Sequence, residues 1–78
     1  MNNSITSTSV YQLLSRREIE ILKLIVEGNI DKEIAKKLGI SFYTVRTHHQ
    51  NILSKTGQRN STSLVHFALK NGLNIMLS

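Results

Sequence analysis

The stretch Asp31 to Gln50, DKEIAKKLGISFYTVRTHHQ, constrains the fold of this chain more than any other. It reads as two short helices separated by Gly39, Ile40 and Ser41. In the first, Ile34, Ala35 and Leu38 share one face, and Lys32, Lys36 and Lys37 lie outside it. Glu33 and Lys37 stand at a favourable i,i+4 spacing. Gly39 breaks this helix because glycine accepts a positive φ cheaply. Ile40 then plugs inward, and Ser41 caps a longer helix over about Phe42 to Thr56. Two steeply crossing helices need a small residue where their backbones approach, a glycine at the break, and apolar residues where the second leans on the first. Ala35, Gly39, Ile40 and Val45 meet those needs. A corner of this kind cannot bury its own apolar face, so the flanking segments must complete a core.

Those segments also read as helices. Ser15 can cap a helix start while Glu18 reaches back to the Ser15 amide, a capping box, with Leu14 and Ile19 placed for a hydrophobic staple. The helix is expected to run to about Glu27, with Gly28 as a left-handed stop. Ile21, Leu22, Leu24, Ile25 and Val26 form its broad apolar face. Gly57 ends the helix that follows the corner. Asn60 or Ser61 opens a last helix that stops at Asn71-Gly72-Leu73, with Leu64, Val65, Ala68 and Leu69 as its core stripe. No strand-like alternation occurs, so the expected fold is all-α, a four-helix helix-turn-helix domain. Residues 1–11 are expected to form a flexible tail, since Met1 to Ser9 is rich in Asn, Ser and Thr. Residues 12–78 form the domain, with the helix-turn-helix motif at 31–50. A 78-residue chain is one small domain that buries roughly 60% of its unfolded surface.

The absence of cysteine removes disulfides and thiolate metal sites. No apolar run approaches the roughly 20 residues of a membrane span, and no signal peptide is visible. The expected location is the cytoplasm, in association with the nucleoid. The formal charge of +5 favours a polyanionic partner. Its distribution is sharper evidence: every acid lies between Glu18 and Glu33, and none occurs from Ala35 to Ser78.

The helix at 42–56 divides into two faces. Val45, Ile52 and Leu53 point inward, with His49 and Thr56 between them. Tyr43, Arg46, Thr47, Gln50 and Ser54 point out, with no acid among them. That is the chemistry a DNA major groove asks for. Arginine donates twice to guanine, glutamine pairs with adenine, and a threonine methyl meets thymine. Arg46, Thr47 and Gln50 are therefore the candidate base contacts. Ser41 and Thr44, at the helix start, can grip phosphate. Tyr43, His48, Lys32, Lys55 and Arg59 are further phosphate candidates.

From Leu14 to Leu73 the chain resembles the LuxR/GerE/NarL type of helix-turn-helix domain found in bacterial transcription regulators. The resemblance rests on Leu14-Ser15, Arg17-Glu18, Glu20-Ile21-Leu22, Leu24 and Gly28. It continues through Lys32-Glu33-Ile34-Ala35, Leu38, Ile40-Ser41, Thr44-Val45-Arg46, His48 and Asn51-Ile52. Lys55, Gly57, Arg59 and Gly72-Leu73 complete it. It implies a four-helix DNA-binding domain that often dimerises through its last helix, with base readers at Arg46, Thr47 and Gln50. Four departures bear on stability. Ile30 stands where the family has a Ser or Thr cap, so the cap is expected to shift to Asn29 or Asp31. His49 and Thr56 occupy commonly apolar positions and should weaken packing by about 1–2 kcal/mol each if buried. Ser63 replaces the Glu of a capping box.

Phe67 lies off the core stripe of the last helix and, with Ser63 and Lys70, is the candidate dimer interface. The competing expectation is that Ile75 to Leu77 fold back over Phe67. Enzymatic chemistry is not expected: His48 and His49 point about 100° apart on a helix and cannot easily share a metal. No phosphate loop or carboxylate pair is present, so no cofactor, metal or small-molecule ligand is expected. The expected partners are double-stranded DNA, a second copy of the chain and RNA polymerase. Two other readings remain open at this point. One is a sigma-factor-like reader of a promoter −35 element, which shares the Thr-Val-Arg segment. The other is a protein-interaction module on the same fold. Control is expected to come from an N-terminal part outside this chain, a partner, or expression level.

Overall fold

The computed structural model describes residues 11–72. Four helices follow in order: α1 at Arg16–Val26, α2 at Asp31–Leu38, α3 at Phe42–Thr56 and α4 at Ser61–Lys70. Among the described residues there is no strand. The all-α expectation holds, and the corner between α2 and α3 is where the sequence places it.

Helix α1 starts as its sequence dictates. The Glu18 amide donates to Ser15 Oγ at 3.1 Å, and the Ser15 amide donates to Glu18 Oε1 at 2.9 Å, a complete capping box. It ends one residue earlier than expected, with Glu27 as the cap and Gly28 at φ 98°. Helix α2 differs more. Its N-cap is Ile30 itself, which has no side-chain acceptor. Glu33 Oε1 accepts from the Ile30 amide at 2.9 Å, so one half of a capping box survives. The cap does not move to Asn29, whose Nδ2 donates backward to the Leu24 carbonyl at 2.9 Å and closes α1. Nor does it move to Asp31, which is already the first residue of the helix.

At the corner Gly39 adopts φ 67° and ψ 34°, a left-handed conformation that a side chain disfavours. The turn lets the Ile40 amide reach back to the Ala35 carbonyl at 3.1 Å, the longer bond of a Schellman stop. Ser41 then opens α3 by accepting from the Thr44 amide. Asn60 opens α4 in the same manner, accepting from the Ser63 amide at 2.9 Å.

The core draws on all four helices. Ile21 and Leu22 of α1, Ile34 of α2, Val45 and Ile52 of α3 and Leu64 of α4 are fully buried. Each fully buried aliphatic side chain contributes about 1.5–3 kcal/mol relative to exposure. Helix α3 packs on α2 and α1 and is thereby held along one whole side.

Two residues stand differently from their sequence expectation. Tyr11, placed in the tail, is buried, and its hydroxyl donates to the Ala68 carbonyl of α4 at 3.0 Å. Leu69, placed in the core stripe, is 47% exposed, while Leu64 and Ala68 of the same helix are fully buried. Leu73 and the Ile75–Leu77 segment lie outside the described residues.

Candidate nucleic-acid interface

Helix α3 is amphipathic in the sense the sequence indicates. Val45 and Ile52 are buried, Leu53 is half-buried, and Tyr43, Arg46, Thr47, Gln50 and Ser54 are exposed. The three candidate base contacts therefore share one open face. Phe42 adds something the residue pattern had not assigned. The Arg46 guanidinium lies 5.8 Å from its ring centroid, one helical turn on. Phe42 in turn meets Tyr43 edge-on at 6.1 Å. The signal was available, since Phe42 and Arg46 are an i,i+4 pair.

The amino end of α3 carries two hydroxyls beside its first amides. Ser41 Oγ accepts from the Thr44 amide at 3.0 Å and sits 2.8 Å from Thr44 Oγ1, so the two hydroxyls form one hydrogen-bonded pair. The first amides of a helix have no intrahelical partner and carry the positive end of its dipole. Those of Phe42 and Tyr43 lie beside this hydroxyl pair. Lys32 and Arg59 are exposed.

Lys55 is engaged elsewhere. Its Nζ lies 2.8 Å from Oε1 of Glu18, a carboxylate that is only 3% exposed. Burial by itself would raise the Glu18 pKa. Hydrogen bonds from Lys55 and the Ser15 amide, and the charges of Lys55 and His48, outweigh it and hold the carboxyl below its usual range. The sequence marked Glu18 only as half of a cap; it is also a buried anchor for the last turn of α3. Nothing local could reveal this, because Lys55 is 37 residues away.

The histidines divide sharply. His66 is exposed. His48 is half-buried, and its Nδ1 is enclosed without a hydrogen-bond partner. His49, expected to weaken packing, instead has both ring nitrogens engaged. Nδ1 lies 2.7 Å from Asp31 Oδ1 and Nε2 lies 2.8 Å from Ser61 Oγ. Thr56 is likewise satisfied, donating to the Ile52 carbonyl at 2.7 Å. The expected packing penalties were conditional on burial; both residues are only half-buried, and their polar atoms have partners. Ser63, which lacks the reach of a Glu, donates its hydroxyl to the Asn60 carbonyl at 3.1 Å.

On α4, Ser63, Phe67 and Lys70 line one shallow groove together with His66 and Asn60. Among the described residues, no group of three or more His, Cys, Asp or Glu is placed to hold a metal. No helix there is long and apolar enough to cross a membrane.

The family model for bacterial regulatory proteins of the luxR family matches residues 12–68. The chain belongs to the luxR family. It is 45% identical over 67 residues to the oxygen regulatory protein NreC of Staphylococcus aureus strain JH9, and equally to that of strains Mu3 and USA300. The match covers 86% of this chain and 31% of each relative, so the chain spans about a third of the curated proteins it matches. No solved structure gives a significant match. As a luxR-family domain it is a helix-turn-helix of the DNA-binding, transcription-regulating type, a family of regulators and not of enzymes. Membership also decides between the two readings of the Thr44-Val45-Arg46 segment, in favour of the luxR type over a sigma-factor region.

Proposed function

We propose that this luxR-family domain reads double-stranded DNA by sequence, with α3 in the major groove. Arg46, Thr47 and Gln50 meet base edges, and Ser41, Tyr43, Thr44, His48, Lys32 and Arg59 meet phosphate. Lys55 divides its charge between Glu18 and the DNA backbone. The observation that carries this reading is the exposed, acid-free face of α3, directly behind a helix start with unpaired amides. An ordinary solvated helix mixes charges of both signs, and this face does not. The domain acts as a dimer through Ser63, Phe67 and Lys70 of α4, so that two copies of α3 meet half-sites about one helical turn apart. It regulates transcription as the DNA-binding part of a response regulator, with RNA polymerase as a further partner.

Selection of bound duplexes from a random pool tests the reading. A defined motif should emerge, and affinity for it should fall by orders of magnitude between 50 and 200 mM salt, as phosphate neutralisation requires (about 10³–10⁵ for 6–10 contacts). On that motif Arg46→Ala should cost about 1–3 kcal/mol and relax preference at one base position. An equal loss on every sequence would assign Arg46 to phosphate. A chain that selects no motif, and whose binding ignores salt, is a protein-interaction module instead.

A further inference from the structure

We infer that His49 is a positioning residue that sets the angle of the recognition helix on its scaffold. Its ring joins three helices: Asp31 at the start of α2, its own place in the middle of α3, and Ser61 at the start of α4. The inference rests on the DNA-reading role of α3 proposed above.

The geometry makes this a pin and not a simple surface contact. Helices α2 and α3 are already joined at the Gly39–Ile40 turn, which fixes one end of the pair. Asp31 is at the opposite end of α2, roughly 10 Å from that turn at 1.5 Å per residue. Packing already holds α3 against α2 and α1; the His49 bridge adds a directional tie at the end of α2 away from the turn. A slip of about 1 Å at that lever length rotates α3 by about 6°, which displaces the backbone at Gln50 by about 1 Å and at Arg46 by less, against a hydrogen-bond range of about 2.7–3.2 Å. The Asp31 side of the pin is sheltered, with 14% of the His49 side chain and 19% of the Asp31 side chain exposed, so water competes weakly for that bond; the Ser61 bond is exposed. Gln50 is the next residue along the chain, so the pin lies beside the reading face.

The chemistry also fixes the proton arrangement. An ionised carboxylate only accepts, so the neutral ring must carry its proton on Nδ1, facing Asp31, and Nε2 must accept from the Ser61 hydroxyl. When the ring is protonated, Nε2–H donates to Ser61 Oγ and both contacts persist. Lys32 also lines this junction, and the His49 bridge is made without it.

His49→Leu, Ser61→Ala and the wild-type chain are to be compared in three measurements. Nitrogen-15 spectra of the wild-type imidazole should show the Nδ1–H tautomer for His49 in its neutral form; the Nε2–H tautomer would remove the Asp31 contact and overturn the inference. Thermal unfolding of His49→Leu should give a folded domain, since leucine fills similar space. Binding is then read on the motif that the wild-type chain selects from a random duplex pool and on unrelated duplex. His49→Leu should lose about tenfold on the motif and little on unrelated DNA, with Ser61→Ala intermediate, as loss of a charge-assisted hydrogen bond implies. A folded His49→Leu that keeps the wild-type ratio between motif and unrelated DNA would overturn the positioning role and leave the DNA-reading proposal standing. A wild-type chain that selects no motif would overturn both.

Discussion

Glu18 Oε1 accepts from the Ser15 amide at 2.9 Å and from Lys55 Nζ at 2.8 Å, so one carboxylate oxygen closes the start of α1 and ties down the end of α3. Its folded pKa is held below the ordinary 4.5 by those donors and by the nearby charge of His48, despite burial. A depressed carboxylate contributes stability above its unfolded pKa, and loses it as pH falls through the lower, folded value. Glu18→Gln should therefore destabilise the domain near neutrality by about 1–2 kcal/mol, a modest figure because Lys55 is half in water. The gap between variant and wild type should close as the pH falls through the folded pKa, which lies below 4.5, in urea unfolding followed across the acid range. A constant gap down to pH 2 would show that the charge on Glu18 contributes nothing. At this scale the sequence read the Ser15–Glu18 cap well and the bridges badly. Ser15 and Glu18 are three residues apart and visible as a pair. His49 with Asp31, and Glu18 with Lys55, are 18 and 37 residues apart and are joined only by the fold.

Among the elements, α2 is the least well closed. Helices α1, α3 and α4 each start on a side chain that accepts from a backbone amide, whereas α2 starts on Ile30, 63% exposed and without an acceptor. Ile30→Ser should complete the capping box with Glu33, whose carboxylate is already in place, and remove an exposed apolar side chain. The expected gain is about 0.5–1 kcal/mol, seen as a higher midpoint in thermal unfolding. A lower midpoint would mean that Ile30 packs usefully against its surroundings. The helix ends were more legible than the starts. The stops after α1, α2 and α3 all use a glycine with positive φ and a backbone bond reaching past it, from Asn29, Ile40 and Gln58 respectively. Glycine is so strongly favoured at such sites that its position in the sequence nearly locates the turn. Which residue caps a start is a weaker preference, because several polar side chains compete for it.

At the scale of the whole molecule, Phe67 stands half-buried on α4 of the single chain, with Ser63 and Lys70 lining the same groove, and the proposed dimer would meet there. Phe67→Ala should lower the dimer fraction in sedimentation while leaving the monomer folded. An unchanged dimer would move the interface elsewhere. The order of four helices, the corner at Gly39 and the outward face of α3 were determined by sequence alone, because periodicity, glycine and charge act within one or two turns. The tertiary structure decided what distance along the chain conceals. It drew Tyr11 into the core, turned Leu69 outward and gave Lys55 a buried partner. It also changed the standing of His49. A polar ring on the inner side of a helix is a defect or a pin according to what faces it, and what faces His49 are the first residues of two other helices.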